Sequence, residues 1–129
     1  SGEADSGDSL ALQINSLVNT YEYTQIGTAD GTSIDINTKT AHAYYKLLDA
    51  TGEPFYSTFD ISMNTYSDTL NIQSLSSQSS TAANTLLYTV CGSNSTASQT
   101  TISTIKFYVG NAAKNLLAGT NLKIYKVLA

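Results

Sequence analysis

The sequence predicts an all-β fold, an antiparallel sandwich or barrel, and three observations predict it. Apolar residues recur at every second position over most of the chain, the period of a half-buried strand. Turn chemistry falls between these stretches at short, regular intervals, giving about eight or nine strands in all. Helix signals are thin, because β-branched residues and Asn run throughout the 129 residues and oppose long helices. No alternation of strand and helix patterns suggests a parallel sheet.

The elements follow in order. Residues 1–8 hold no apolar side chain larger than Ala and read as a flexible leader whose opening Ser1-Gly2 looks like an expression scar. Residues 9–129 read as one β-domain. Leu10, Leu12 and Ile14 share a face, as do Tyr21, Tyr23 and Gln25 in the next stretch. Residues 33–36 predict a short strand with Ile34 and Ile36 inward. Residues 38–48 are read as at most one helical turn leading into a strand over 44–48. Asp49 to Glu53, with Gly52 and then Pro54, is hairpin chemistry joining that strand to the next. There Phe55, Ser57, Phe59, Ile61 and Met63 alternate on one face. Leu70 and Ile72 point inward from 69–75, and Leu86, Tyr88 and Val90 from 84–91. Residues 76–83 and 93–99 are polar low-complexity stretches, predicted to be loops presented outward. Ile105, Phe107 and Val109 alternate with Lys106 and Tyr108. After a break at Gly110-Asn111 the last strand is expected over 120–128, with Leu122 and Ile124 inward and a bulge near Tyr125 or Lys126.

Composition narrows the function. Only 12% of residues are charged, about half the usual globular share. Polarity comes instead from 17 Ser, 18 Thr and 10 Asn. The chain lacks Arg and carries a net charge of −4, which argues against nucleic acid as a partner. No apolar run is long enough for a membrane helix, so no membrane insertion is expected. One Cys, Cys91, permits no internal disulfide and reads as a small buried hydrophobe. Charge is also distributed unevenly. All ten acids lie at or before Asp68, accompanied by Lys39 and Lys46, whereas the four remaining lysines follow without an acid. Such asymmetry either guides one copy onto another or is mixed in space by interleaved strands.

Sites of chemistry are few. His42 is the one imidazole and has Asp35 and Asp49 each seven residues away, too weak a basis for a catalytic triad. It reads as a surface or edge-strand His, and no enzyme activity is expected. Asp30, Asp35, Asp49 and Glu53 sit in or beside turns, where capping competes with calcium ligation, and no metal or cofactor is assigned. Tyrosine stands out, with nine Tyr against three Phe and no Trp. Tyr combines a flat apolar face with a hydroxyl, which suits stacking on sugars and polar interfaces. Tyr21, Tyr23, Tyr45 and Tyr66 are therefore the candidate ligand-binding residues, with core filling as the competing role for Tyr21 and Tyr23.

The C-terminal stretch Ile102-Ser103-Thr104-Ile105-Lys106-Phe107, followed by Ala118-Gly119-Thr120-Asn121-Leu122-Lys123-Ile124-Tyr125, resembles the end of jelly-roll domains in tailed-phage virion proteins. Those domains close with a strand, a short loop carrying an apolar plug, a tight Ala-Gly-Ser/Thr turn and a last strand. Leu116 or Leu117 would be the plug and Gly119 the turn, whereas Lys126 replaces the Gly that usually follows the Tyr. The resemblance spans about a fifth of the chain, lies in scaffold positions and transfers no functional residue. It implies a jelly-roll β-sandwich acting as a non-enzymatic virion module, in a tail fibre that binds a receptor or as a capsid decoration. The expected partner is a second copy of the chain, a trimer being favoured, with a cell-surface glycan as a further partner. The alternative is a bacterial extracellular carbohydrate-binding module using the four Tyr residues. Either reading places the protein on a virion or outside the cell.

Overall fold

The structure, a computed structural model, describes residues 8–28, 33–50, 54–64, 66, 69–79, 85–94, 99–110 and 114–127, with 8, 49, 50, 64, 79 and 85–94 described by their backbone. Every element among them is a strand: β1 (Asp8–Ile14), β2 (Tyr21–Thr28), β3 (Asp35–His42), β4 (Tyr45–Ala50), β5 (Phe55–Asn64), β6 (Thr69–Ser79), β7 (Thr85–Asn94) and β8 (Ile105–Val109). All pairings are antiparallel. A three-stranded sheet has the order β4-β1-β8, and a five-stranded sheet the order β3-β2-β7-β6-β5.

The two sheets share one core. Leu10, Leu12 and Ile14 of β1 are buried with Tyr45, Leu47 and Leu48 of β4, and they meet Tyr21, Tyr23, Phe55, Leu70 and Ile72 from the five-stranded sheet. Polar atoms stitch the layers. The Ile14 N–H donates to the Tyr21 hydroxyl at 2.8 Å, and that hydroxyl donates back to the Ile14 carbonyl at 3.4 Å. This is the job done by a tyrosine corner, an inward ring whose polar end pins backbone a few residues upstream. The Tyr45 hydroxyl reaches across to the Ile72 carbonyl at 3.4 Å and to Ser74 Oγ at 3.3 Å.

Bulges set which side chains face inward. The register slips between Leu10 and Ala11 opposite β4, which gives Leu47 no partner of its own and buries Leu47 and Leu48 together. A second slip lies between Tyr21 and Tyr23 opposite β3, where Ala41 takes a φ of 49°. Gly110 ends β8 with its N–H on the Ser9 carbonyl at 2.9 Å. A Cβ there would lie 2.9 Å from the tip of the Tyr44 ring, so a side chain at 110 would push that ring aside.

Several expectations are corrected. Residues 38–42 extend β3 instead of turning helically, since their backbone bonds to β2. Ile34 and Ile36 face solvent, because β3 is an edge strand and pairs Ile36 with Ile26 on the outer face. The Asp49–Glu53 turn does not close a hairpin, as β4 and β5 belong to different sheets. Residues 76–79 are strand and not loop: Ser76 is buried and its Oγ lies 2.7 Å from that of Ser57 on β5, so a hydroxyl pair satisfies the inward polar groups. Ser93 and Asn94 likewise belong to β7. Residues 122–127 form no strand, and Leu122 and Ile124 are exposed. Expectations for residues 1–7, 29–32, 51–53, 80–84, 95–98, 111–113 and 128–129 lie outside the described residues, as do those for the side chains of Leu86, Tyr88, Val90 and Cys91.

Candidate functional site

Three places in the described residues have the chemistry to meet something outside the chain. The first is a run of rings. Tyr45 and Tyr23 are 5.5 Å apart between centroids, Tyr23 meets His42 edge-on at 5.7 Å, and His42 meets Tyr44 at 4.7 Å. Tyr44 in turn meets Tyr108 at 6.1 Å, and Lys106 Nζ stands 4.2 Å from the Tyr108 ring centre, a cation–π contact. This ladder begins in the core and surfaces on the outer side of the three-stranded sheet. It gives His42 a structural setting: burial, then the charges of Lys39 and Lys46, hold its pKa below the usual value. Asp35 is at the far end of β3, roughly 23 Å away at the strand rise of about 3.3 Å per residue, out of reach of the imidazole. Among the described residues no group of three or more His, Cys, Asp or Glu is placed to hold a metal ion. Asp30 and Glu53 lie outside the described residues.

Three of the four tyrosines selected from the sequence meet in the core, and the fourth stands apart. Tyr21, Tyr23 and Tyr45 are buried in the shared core, and burial raises the Tyr21 pKa. Tyr66 is 100% exposed in the turn after β5. Three rings without an open face offer nothing to stack against, so they form no sugar platform here. The alternation that aligned them was read correctly as one face, and that face is the inner one.

The second place is the outer face of the five-stranded sheet, which the sequence reading missed. Register aligns Ile36 of β3 with Ile26 of β2, then Thr89 of β7, Leu75 of β6 and Thr58 of β5. Ile36, Ile26 and Leu75 in this row are all exposed, and Tyr56 is exposed in the adjacent row. Glu22 and Asp60 lie on the same outward side of their strands. The signal was available: Ile26 falls out of phase with Tyr21, Tyr23 and Gln25 in a strict two-residue period.

The third place is the C-terminal segment. Leu116 packs against the core. A turn follows, in which the Thr120 N–H donates to the Leu117 carbonyl at 3.2 Å and Gly119 has a φ of 91°. A positive φ at the third turn position favours Gly. Beyond it, Leu122, Ile124, Tyr125 and Val127 are all exposed.

No protein-family model matches this chain, no curated protein is recognisably similar to it in sequence, and no solved structure is recognisably similar to it in fold.

Proposed function

We propose that this protein is a non-enzymatic structural and adhesion module of the kind found in tailed-phage virions, a jelly-roll sandwich that works as a homo-oligomer. The observation that carries the reading is the exposed row of Ile36, Ile26 and Leu75 with Tyr56 beside it. Several large apolar side chains exposed on one regular sheet face are what an association surface presents. Leu116 packed on the core and the turn at Gly119 stand where the resemblance puts an apolar plug and a tight turn, although no strand follows at 122–127. A surface rich in hydroxyl and amide side chains and poor in lysine suits an external, rigid, protein-coated setting.

The test is mass in solution. Sedimentation equilibrium or light scattering at tens of micromolar should give a discrete oligomer, a trimer at three times the 13.7 kDa of one chain being favoured. A monomer at every concentration tested would remove the reading. Leu75→Glu, at an exposed position, should weaken the assembly while leaving the urea midpoint of the dissociated chain, measured at high dilution, unchanged.

A further inference from the structure

We infer that residues 122–127 of one copy add as a strand to the open edge of β3 in a second copy. The inference rests on the assembly reading above and names the contact that makes it. Both halves of that contact lie exposed in a single chain.

The donor is the segment Leu122-Lys123-Ile124-Tyr125-Lys126-Val127. It alternates like a strand at its start, yet it joins neither sheet. Leu122 is 42% exposed, Ile124 55% and Val127 91%. The fixed turn at Gly119 projects it from Leu116, which is anchored on the core. An apolar, strand-patterned arm in water is a segment whose partner lies elsewhere.

The acceptor is β3. It bonds to β2 along one side, and among the described residues no strand pairs with its other side, which leaves that row of backbone N–H and C=O groups as a sheet edge. Ile36 is 70% exposed on the strand and Ile34, just before it, 77%. The other edges fit less well. β8 carries Lys106 and no acid, so it would set like charges beside Lys123 and Lys126. β4 carries Lys46 and Asp49, but its large apolar residues Tyr45, Leu47 and Leu48 are all buried and leave nothing for an apolar arm to meet. β5 offers Asp60, but Tyr56 is its one strongly exposed large apolar side chain. Along β3, Asp35 is exposed next to Ile36, whereas Lys39, in the same phase of the strand, is half-buried opposite Tyr23, so the exposed charge at the Ile36 end is acidic. An arm laid there with Ile124 beside Ile36 continues the row of Ile36, Ile26 and Leu75 by one strand. Main-chain bonds supply the affinity and the alternate side chains the register, as in other strand-addition complexes.

The contact is between unlike surfaces, arm to edge. Repeated head to tail, it closes into a ring if the rotation permits, and a trimer is such a ring.

The experiment uses full-length chains. An arm variant, Leu122→Asp with Ile124→Asp, keeps its edge, and an edge variant, Asp35→Lys with Ile36→Lys, keeps its arm. All four positions are exposed, so urea midpoints should match that of the parent at concentrations dilute enough to dissociate it. Each variant alone should run as a monomer, and an equimolar mixture should give a one-to-one heterodimer by light scattering. Hydrogen exchange on the unaltered assembly should show protected amides at 35–38 and 123–127, at least tenfold slower than in the arm variant. An arm variant that keeps the parent mass overturns the inference and leaves assembly through the sheet face standing. Two monomeric variants that stay apart when mixed overturn it as well. A parent chain that is itself monomeric overturns both this inference and the assembly reading.

Discussion

Residues 10–14 and residues 122–127 carry almost the same pattern and meet opposite fates. Leu-Ala-Leu-Gln-Ile lies at the centre of the three-stranded sheet, paired on both sides, with Leu10, Leu12 and Ile14 fully buried. Leu-Lys-Ile-Tyr-Lys-Val stands outside both sheets with its apolar residues in solvent. Period two identifies a strand former in each case. It does not identify the edge that pairs with it, because pairing depends on what the rest of the chain brings alongside.

The comparison is broken most directly by removing equivalent leucines. Leu12→Ala deletes buried methyl groups between two paired strands and should lower unfolding free energy by about 2–5 kcal/mol. Leu122→Ala removes an exposed side chain, and in the monomeric edge variant it should change the urea midpoint by less than about 0.5 kcal/mol equivalent. Equal losses at both positions would mean that the arm packs on its own chain. In the assembled parent the same Leu122→Ala should weaken association.

Much of the fold was legible because burial and alternation coincide. The inward sets on β1, β5 and β6 follow the pattern of the residues, and the two bulges merely adjust it. What failed has physical causes. Ile34 and Ile36 look like core residues by type, but β3 is an edge whose outward face carries them. Ser76 and Gln78 look like loop by composition, yet a hydroxyl partner on β5 makes the inward Ser76 acceptable. Of the tyrosines selected for a ligand, Tyr21 and Tyr23 were aligned on one face with core filling as their competing role, and burial together with the cross-sheet hydrogen bond from Ile14 to Tyr21 shows that it is the inner face. The outer row of Ile36, Ile26 and Leu75 spans residues far apart in sequence and emerges only from register.

Tyr21 sharpens the contrast between paired and unpaired backbone. Tyr21→Phe keeps the ring and strands the buried Ile14 N–H, which should cost about 1–3 kcal/mol by urea unfolding. The hydroxyl also leaves a pH signature. Burial raises its pKa, so the folded chain holds a proton that the unfolded chain releases near pH 10. Its share of stability is complete below that pH and lost as pH rises beyond it. The parent should therefore lose stability more steeply than Tyr21→Phe above pH 10.

Asn15 is a smaller clamp, invisible to pattern reading because it acts through its side chain across the chain. Its Oδ1 accepts from the Ser103 N–H at 2.7 Å and the Thr104 N–H at 3.2 Å, and its Nδ2 donates to the Thr101 carbonyl at 2.7 Å. It thereby holds the approach to β8 against the end of β1, while its own φ of 53° suits Asn or Gly. Asn15→Ala loses both the bonds and the favoured backbone and should cost about 1–2 kcal/mol. Asn15→Gly should cost less, having lost the bonds alone. The reverse order would mean that backbone strain at 15 is immaterial.

His42 gives the smallest expected effect and the one that tests whether the ring ladder is structural. Burial and the neighbouring Lys39 and Lys46 lower its pKa, so the folded chain resists the proton that the unfolded chain accepts below about pH 6.5. The stability it contributes is present above that value and is lost as pH falls through the lower, folded-state pKa. The melting temperature should thus drop between pH 7.5 and pH 5 by more in the parent than in His42→Asn, both measured in the monomeric edge variant. Because the ring is only half-buried, solvent screens the charges that face it and the difference should be modest. Identical slopes in the two proteins would separate His42 from the folding equilibrium and leave its contacts with Tyr23 and Tyr44 as packing alone.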